Sequence, residues 1–566
     1  MARLSLVLAT PVVLLALLLT ASARPAAEAT PSARVGAFYF DGWSGQLGNF
    51  HWGGLLGTQY SGRRPLSGWT DDRPEAIEAQ LRWAHAAGVS FFIFDWFHEP
   101  DPGNGPINMA FETYWKVRDH TGVGAALAYV NQPGFVIPPE KWPAATESWV
   151  TNYFLRPDYV RVNGRPLLVI LDESFFIRQW GGGAGANAAI AELRAAAVRH
   201  GLPGVFVVGG RYLDWRSEQC FPHCIGTDAE FASVDYDAIT EFSYPYILEP
   251  RDGPRPYAEV AAAIKRTWEV MAQRGPFPHI PSVMAGFDPR PMILAGQIQS
   301  KEEGGWPLLN GHETWFVTRP ADVGGLVRDA VAWVQANPSM GIEPAPAAPV
   351  VLTQSWNELQ EGAILVPTVK DGYSYGQALA QAVGIPWTPP PKHTLRIARS
   401  SRGTVTSTPV GIACPPTCSA SFDEGWEVTL NARAERGSTF DGWAGKCTED
   451  KSGPACPVVL VRDSAVKALL TSVVQRRALT LRVQGTRATG TLRTLDGYTD
   501  CAANEPVELQ RRTGARWADV ASTSTGDRGR YAVRLPDRPG TYRASVPRRS
   551  LGDHTCLAAT SRRIRR

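Results

Sequence analysis

Eight short apolar runs recur along the first two thirds of the chain, and they constrain its fold more than any other feature. They cover residues 35–40, 90–95, 125–131, 166–172, 205–208, 238–244, 280–286 and 349–355. Helix-like stretches lie between several of them, at residues 74–87, 187–200, 257–273 and within 318–337. Short runs that are apolar throughout are typical of strands in a parallel sheet covered on both faces. The pattern predicts an α/β fold, either a (β/α)8 TIM-type barrel or a doubly wound sheet.

Polar and aromatic residues near the C-terminal ends of these runs favour the barrel, because all strand ends then meet at one mouth. Acids, amides and aromatic rings there suit a neutral ligand rich in hydroxyl groups. A phosphate site would instead need glycines where a strand turns into a helix. The glycine run at residues 181–185 is not placed in that way, and we interpret it as a flexible loop. The candidate ligand contacts are Tyr39, Asp41, Trp43, Asp95, Trp96, Tyr129, Asn131, Asp172, Glu241, Tyr244, Asp288, Trp356 and Asn357.

Two glutamates, Glu358 and Glu361, follow the eighth run. If the chain is helical there, side chains three residues apart share a face, with Cβ atoms roughly 5–6 Å apart. Two carboxylates that close cannot both ionise freely, so the pKa of one should rise. A glycosidase needs one protonated acid and one ionised base or nucleophile, and we predict that this pair is catalytic. The alternative is a solvated loop with two ordinary glutamates.

The first 23 residues predict a secretory signal peptide. Arg3 supplies the positive start, residues 4–20 are apolar, and residues 21–23 form a small-residue cleavage site. A membrane anchor is the alternative, but a span needs ~20 residues and Pro11 interrupts the run. Residues 24–33 predict a disordered lead-in. We therefore expect a secreted or cell-surface protein without a transmembrane span in the mature chain.

The eight cysteines are an even number, which fits an oxidising compartment. Cys501 and Cys556 predict a disulfide within the last domain. Cys220 and Cys224 predict a disulfide that closes a loop, with a metal site as the alternative. The pairing stays open among Cys414, Cys418, Cys447 and Cys456.

The composition changes after residue 385, which indicates further domains. We assign residues 34–385 to the barrel, 386–392 to a stiff Pro-rich linker, 393–472 to a disulfide-containing β-repeat module, and 473–566 to a β-sandwich with a basic tail. Residues 393–566 contain 28 Lys+Arg and 16 Asp+Glu, a net charge of +12, whereas the preceding residues carry −9 of the total of +3. Such basic modules suit an anionic cell-wall polymer, and the alternative is a solvated surface without a partner.

Several motifs of the first 385 residues occur together in one known group. They are Phe38-Tyr39-Phe40, residues 91–97, residues 156–166, residues 280–291 with Gly286-Phe287-Asp288, and above all residues 356–362. In these motifs the chain resembles the glycoside hydrolase family 99-like group. That group includes endo-acting α-mannosidases and mannanases, and related proteins assigned to polysaccharide synthesis as glycosyltransferases.

The resemblance implies a retaining mechanism without a metal or organic cofactor. Glu358 would act as the base on the sugar 2-hydroxyl and give a 1,2-anhydro intermediate, and Glu361 would protonate the leaving oxygen and then activate water. The chain departs from the group's pattern at Leu359 and Gln360, between the glutamates, and at Phe287, where Trp is common. These departures concern the substrate more than the reaction type.

The module at residues 393–472 resembles the divergent internalin-B-type B-repeat, through residues 403–405, 411–414 and 437–443 and its cysteines. Such repeats imply surface association or spacing. The last domain loosely resembles Ig-like or prealbumin-like sandwiches.

The favoured hypothesis is an exported retaining glycoside hydrolase that cleaves an α-linked, mannan-like polysaccharide. One alternative is a carbohydrate-binding surface protein without turnover. A glycosyltransferase is less favoured, because an exported protein meets no pool of nucleotide sugars. We expect no nucleic-acid partner.

Overall fold

The computed structural model describes residues 30–44, 55–98, 107–132, 134–211, 228–242, 248, 251–274, 277–293, 313–343, 347–400, 403–435, 438–447, 453–472, 474–551 and 554–566. The predicted signal peptide, Tyr244, Cys220 and Cys224 lie outside the described residues.

Eight parallel strands form the predicted barrel. They are β1 Arg34–Tyr39, β2 Val89–Trp96, β3 Gly124–Tyr129, β4 Arg165–Ile170, β5 Phe206–Arg211, β6 Ala238–Glu241, β7 in two segments, His279–Ile280 and Ser282–Met284, and β8 Val350–Gln354. Each strand pairs in parallel with the next, and β8 also pairs with β1. β7 is interrupted at Pro281, which has no N–H to donate. Because its two segments pair with β6 and β8, the ring closes. The barrel prediction is confirmed and the doubly wound alternative is wrong.

Helices follow the strands and cover the outside of the barrel. They are α1 Pro74–Ala86, α2 Met109–Tyr114, α3 Trp142–Trp149, α4 Glu173–Gln179, α5 Gly183–Arg199, α6 Asp228–Ala232, α7 Tyr257–Arg274, α8 Arg290–Ile293, α9 Pro320–Ala336 and α10 Ser374–Ala382. Prolines begin α1 and α9, where a missing N–H costs nothing. None of the described helices is long and apolar enough to cross a membrane.

Two predictions of unstructured segments are wrong in part. Within the glycine run at residues 181–185, Gly183 begins α5, and a Cβ atom at Gly185 would lie 1.9 Å from the carbonyl oxygen of Trp180. Gly185 is therefore needed where the helix starts in close contact with that carbonyl. In the predicted lead-in, Ala33 is buried and Ser32 N donates to Val383 O at 2.9 Å, so these two residues pack on the barrel.

Two all-β domains follow the barrel. The first has two four-stranded sheets, built from β9 Lys392–Arg399, β10 Gly403–Thr408, β11 Ala413–Cys414, β12 Ser419–Asp423, β13 Glu427–Ala434, β14 Ser438–Gly445, β15 Ala455–Val459 and β16 Ser464–Ser472. The second is a sandwich of β17 Val474–Gln475, β18 Arg477–Leu479, β19 Arg482–Gln484, β20 Arg487–Thr494, β21 Pro506–Thr513, β22 Arg516–Ser524, β23 Arg530–Arg534, β24 Thr541–Val546, β25 Arg549–Leu551, β26 His554–Cys556, β27 Ala559–Thr560 and β28 Ile564–Arg565.

Each of these domains carries disulfides. Cys414 pairs with Cys418, and Cys447 pairs with Cys456. The predicted Cys501–Cys556 disulfide is confirmed.

The first all-β domain is packed against the barrel. Glu427 accepts hydrogen bonds from Arg64 and from Arg73 Nη2, the latter at 2.6 Å, and its backbone N donates to Leu66 O at 2.7 Å. Val459 and Val461 are buried in the same apolar cluster as the barrel core. The Pro-rich segment therefore connects two domains in direct contact.

This packing predicts a difference between two acid–base pairs. Removing the carboxylate in Glu427→Ala leaves Arg64 and Arg73 without their shared counter-charge, so we expect the free energy of unfolding to fall by about 3–5 kcal/mol. Breaking the exposed pair of Lys446 and Glu75 by Lys446→Ala should cost at most about 1 kcal/mol. Urea unfolding of the full chain measures both. Equal losses in the two variants would contradict the packed arrangement.

Candidate active site

The two glutamates lie on an antiparallel hairpin and not on a helical turn. Asn357–Glu358 pairs with Ala363–Ile364, and we call residues 357–364 the rim hairpin. Gly362 has φ +74°, a left-handed conformation that favours glycine, and it allows the tight return of the chain. The helical turn considered for this stretch is therefore not formed, although both glutamates still lie beyond the end of β8.

A guanidinium group explains why the hairpin forms in place of a helix. Arg63 Nη1 donates to the carbonyl oxygens of Leu359 and Gln360, each at 3.0 Å, and Asp288 N donates to the carbonyl oxygen of Glu361. In a helix, amides four residues further on would take these carbonyls. Here donors from two other loops take them, so the turn is fixed from outside.

Arg63 is itself held in place. Its Nη2 donates to Asp288 Oδ2 at 2.6 Å, and its guanidinium lies 4.7 Å from the ring centroid of Tyr60. Burial lowers the pKa of Arg63, although the charge of Asp288 acts in the opposite direction. The cation therefore carries a desolvation cost that its hydrogen bonds offset.

Three carboxyl groups meet at the mouth, which we call the acid cluster: Asp95 at the end of β2, and Glu358 and Glu361 on the rim hairpin. Burial raises the pKa of Glu358 well above its usual range, and the charges of Glu361 and Asp95 add to the effect. Burial also raises the pKa of Asp95, together with the charges of Asp41 and Glu361. These charge effects indicate that Asp95 lies within electrostatic reach of the two rim glutamates.

Glu361 combines an elevated pKa with access to solvent. Burial raises the pKa of its carboxyl to about 7, while the side chain stays partly exposed. Such a group is about half protonated near neutral pH, and it can both give and take a proton there. Among the described residues, neither rim glutamate forms an ion pair, so no cation lowers these pKa values.

Several predicted contacts bind protein atoms and thereby support the rim. Asn357 accepts a hydrogen bond from Phe40 N at 2.8 Å and donates to Phe40 O at 3.0 Å, while Trp43 Nε1 donates to Asn357 O at 2.8 Å. Trp356 is buried and donates to Gln80 Oε1 at 2.8 Å. These bonds attach the rim hairpin to the end of β1 and to α1.

Two further predicted contacts fix neighbouring structure. The Asp41 carboxylate accepts from Ala110 N at 2.7 Å and Phe111 N at 2.8 Å, at the start of α2. Tyr39 is buried, and its hydroxyl donates to Asp71 Oδ2 at 3.1 Å. Asp41 nevertheless stays close enough to Asp95 to raise its pKa.

The predicted contacts after β3 and β4 form a second polar group. Asn131 Nδ2 donates to Asp172 O at 2.6 Å, and Asn131 Oδ1 accepts from Asp172 N at 2.9 Å. Asp172 Oδ1 also accepts from Phe175 N at the start of α4. Tyr129 is buried and its hydroxyl accepts from Ile137 N at 2.7 Å. Trp96 is partly exposed and packs edge-to-face on Trp149.

Two predicted contacts, Glu241 and Asp288, contact other side chains of the protein. Glu241 lies 2.7 Å from His279, with both side chains buried, and the His279 ring packs against Trp333 of α9. Glu241 therefore contacts a histidine that packs on the helix layer. Asp288 forms ion pairs with Arg63 and, at 2.6 Å, with Arg290.

Sequence reasoning missed Arg63 and Asp71. Arg63 ends a short 3-10 helix, Ser61–Arg63, and no residue pattern around it indicates a contact with residues 359 and 360. Asp71 precedes α1 in the sequence, and nothing around it indicates a contact at the barrel mouth. In the structure its carboxyl is buried, and burial together with the charge of Asp41 raises its pKa.

The elevated pKa of Glu361 predicts a stability change with a definite sign. In the unfolded chain the carboxyl loses its proton near its ordinary pKa, whereas the native protein keeps it up to about pH 7. Native stability is therefore lost as pH rises between these two values. We expect Glu361→Gln to match the wild type at pH 4 and to exceed it by up to about 3 kcal/mol at pH 8.

Urea unfolding at several pH values tests this expectation, and Glu259→Gln is the control. Arg255 lowers the pKa of Glu259, so removing that carboxylate should make the variant less stable relative to wild type as pH rises. A Glu361→Gln variant that changes with pH in the same direction as the control would refute the raised pKa.

The hydrogen bonds of Arg63 predict a second stability difference. Arg63→Met should lower the free energy of unfolding by about 2–3 kcal/mol, because bonds to a charged group and to two carbonyl oxygens are lost. It should also speed amide exchange at residues 359–362. Arg290→Met removes the more exposed partner of Asp288 and should cost at most about 1 kcal/mol. Unchanged exchange in Arg63→Met would show that other contacts fix the turn.

The comparisons with solved structures return glycoside hydrolases. A GH99 endo-α-mannosidase from Bacteroides thetaiotaomicron is 16% identical, with 62% of this chain and 98% of that chain covered and a TM-score of 0.38. A β-glucuronidase from Parabacteroides merdae is 10% identical, with 94% and 61% covered and a TM-score of 0.30. A chitinase from Chromobacterium violaceum is 12% identical, with 62% and 100% covered and a TM-score of 0.33. TM-scores of this size carry no argument about activity.

Residues 393–469 match the family of the divergent InlB B-repeat domain, which confirms the resemblance expected for that module. No curated protein sequence matches the chain. The chain is thus a (β/α)8 barrel followed by a divergent InlB B-repeat domain and a β-sandwich.

Proposed function

We propose that the protein is a retaining glycoside hydrolase that cleaves an α-linked polysaccharide, with Glu358 and Glu361 as its acid/base pair. The observation that supports this most is the partly exposed Glu361 carboxyl, whose pKa is about 7, beside two further acids at the barrel mouth. Glycosidases work with two carboxyl groups in unlike protonation states. The sequence resemblance to the family 99-like group points to the same pair.

The proposed role of Glu361 is to protonate the leaving oxygen and then to take a proton from water. A group that alternates between acid and base works best when its pKa is near the working pH. Burial is the main cause that raises the pKa of Glu361 into this range, and not a like-charged neighbour. The carboxyl is partly exposed, so water can reach it in the second step.

The proposed role of Glu358 is to accept the proton of the sugar 2-hydroxyl, which requires an ionised carboxylate. In the free protein, burial and the charges of Glu361 and Asp95 favour its protonated form. Two coupled acids lose their protons in two steps that belong to the pair as a whole. When Glu361 holds a proton, it is neutral and no longer repels the negative charge on Glu358. Substrate binding therefore has to favour the state in which Glu358 is ionised and Glu361 carries the proton, next to the leaving oxygen.

Asp95 is the proposed sugar contact with the most direct support. Its side chain is 4% exposed, and Oδ1 has no hydrogen-bond partner among the described residues. A buried oxygen without a partner is costly, and a substrate hydroxyl would remove this cost. The other rim residues named above remain proposed contacts.

The proposal extends to location and substrate. We infer an exported protein whose substrate is mannan-like, on the basis of the signal-like N-terminus and the sequence motifs. The three disulfides of the C-terminal domains suit an oxidising compartment. The basic C-terminal domains would keep the enzyme close to an anionic polymer.

Release of reducing ends from a panel of α-linked glycans, including α-mannans, tests the activity. We expect turnover by the wild type and a loss of about 10²–10⁴-fold in Glu361→Gln and in Glu358→Gln, the size typical of acid–base groups. Glu192→Gln is the control, because Glu192 is on α5 and pairs with Arg199 at the surface.

Two results would contradict the hydrolase proposal. Binding of glycans by the wild type without release of reducing ends would favour a binding protein. Transfer of sugar from an activated donor, in the absence of hydrolysis, would favour a glycosyltransferase.

A further inference from the structure

One sheet face of the C-terminal sandwich is lined with arginines. Strand β20 lies between β19 and β23 and also pairs with β18. Alternate residues of these strands point outward, because the residues between them, such as Ala488, Leu492 and Tyr531, are buried. The outward positions carry what we call the arginine face: Arg482, Arg487, Arg493, Arg530 and Arg534, all of them exposed.

The arrangement of these charges is costly for an isolated domain. Arg487 lies directly opposite Arg534 in the ladder, and like charges at such positions destabilise a sheet. Arg482 pairs with Thr489, two residues from Arg487 on the same face. None of the outward positions of β19, β20 and β23 is acidic. The face therefore concentrates positive charge that no acid on the same strands compensates.

Four other arginines of the sandwich form ion pairs. Arg477 and Arg549 share Glu505, Arg476 pairs with Asp496, and Arg566 pairs with Asp537. By contrast, the side chains of the five arginines of the arginine face form no ion pair and no hydrogen bond with another described residue. The arginine face therefore concentrates five uncompensated positive charges on one side of the sheet.

The spacing of the face suits a polymer that carries many charges. Neighbouring strands are about 4.8 Å apart, and alternate residues along a strand are about 7 Å apart. The guanidinium groups therefore form a two-dimensional array that extends beyond the reach of a single small anion. Guanidinium groups match carboxylates, as well as phosphates, in a bidentate geometry.

The remaining chemistry of the face favours a polysaccharide over a nucleic acid. A shallow groove along the face is also lined by the hydroxyl-bearing residues Thr480, Thr489, Thr491 and Thr523. The only aromatic residue among those that line the groove, Tyr531, is buried and donates from its hydroxyl to Thr480 O at 2.6 Å. Single-stranded nucleic acids need exposed rings on which bases stack, and this groove offers hydroxyl groups in their place.

We propose that the arginine face binds an acidic polysaccharide that carries a carboxylate on its repeating units. This inference rests on the proposed retention of the protein near an anionic polymer, for which it names the binding face and the class of polymer, and it is independent of the chemistry at the barrel mouth. Such binding would attach the protein to an anionic matrix while the barrel acts on another glycan. The experiment below uses the full chain, so a failure of the hydrolase proposal leaves this test intact.

The test measures binding of the full-length protein to polygalacturonate by biolayer interferometry, at low and at physiological salt. We expect binding that weakens as salt rises, because exposed charges are screened. The triple variant Arg487→Gln, Arg530→Gln, Arg534→Gln should bind about tenfold more weakly, from three exposed pairs of modest strength each. The matched control, Arg538→Gln, Arg548→Gln, Arg562→Gln, removes the same charge from other exposed positions and should bind like the wild type.

Three results would overturn the proposal. The first is an equal loss of affinity in the two triple variants, which would show a response to net charge alone. The second is tighter binding of duplex DNA, or of vesicles with anionic lipids, than of polygalacturonate through the same three arginines. The third is no binding of polygalacturonate at low salt by a wild type whose unfolding curve is normal.

Discussion

The contact between Arg63 and the rim hairpin fixes the chemistry of the barrel mouth. One guanidinium group reaches two successive carbonyl oxygens of the turn and the carboxylate of Asp288. The turn therefore needs no helical hydrogen bonds of its own, and its two glutamates are held on either side of it. A lysine could not provide this, because it presents one compact charge and lacks a planar fork of donors. The position of both carboxyl groups thus depends on a residue almost 300 positions earlier in the chain.

The same loop also contacts the B-repeat domain. Arg64 and Arg73, on either side of Leu66, bind Glu427 of that domain, and Leu66 O accepts from its backbone. Within residues 63–73, Arg63 thus contacts the rim hairpin. Arg64, Leu66 and Arg73 contact the B-repeat domain. A B-repeat is expected to act as a spacer, but here it stabilises the loop from which Arg63 extends. The domain boundary and the candidate active site therefore share one structural element.

The sequence predicts the barrel well because each strand is a local pattern. All eight apolar runs become strands, since a segment buried on both faces has to be apolar wherever it lies. The sequence also places Asp95, Glu358 and Glu361 correctly at strand ends. It could not show that Asn357 and Trp356 bind protein atoms, since strand-end position alone does not indicate which way a side chain points. Arg63 was missed for a related reason: its partners on the rim hairpin are backbone carbonyls, and every residue has one, so no residue type indicates the contact.

The pKa values of the acids at the rim depend on which of them form an ion pair with an arginine. Asp288 lies between Arg63 and Arg290 and holds the loop after β7 in place, as a structural carboxylate should. Among the residues that the structure describes, Glu358, Glu361 and Asp95 have no such partner, and their pKa values rise through burial. Desolvated acids without counter-ions reduce stability at neutral pH, and a fold retains them when their protons are useful. The arginines close to the hairpin bind its backbone and a neighbouring acid but leave the cluster uncompensated. This separation of structural from chemical carboxylates is the strongest physical reason to regard the mouth of the barrel as an active site.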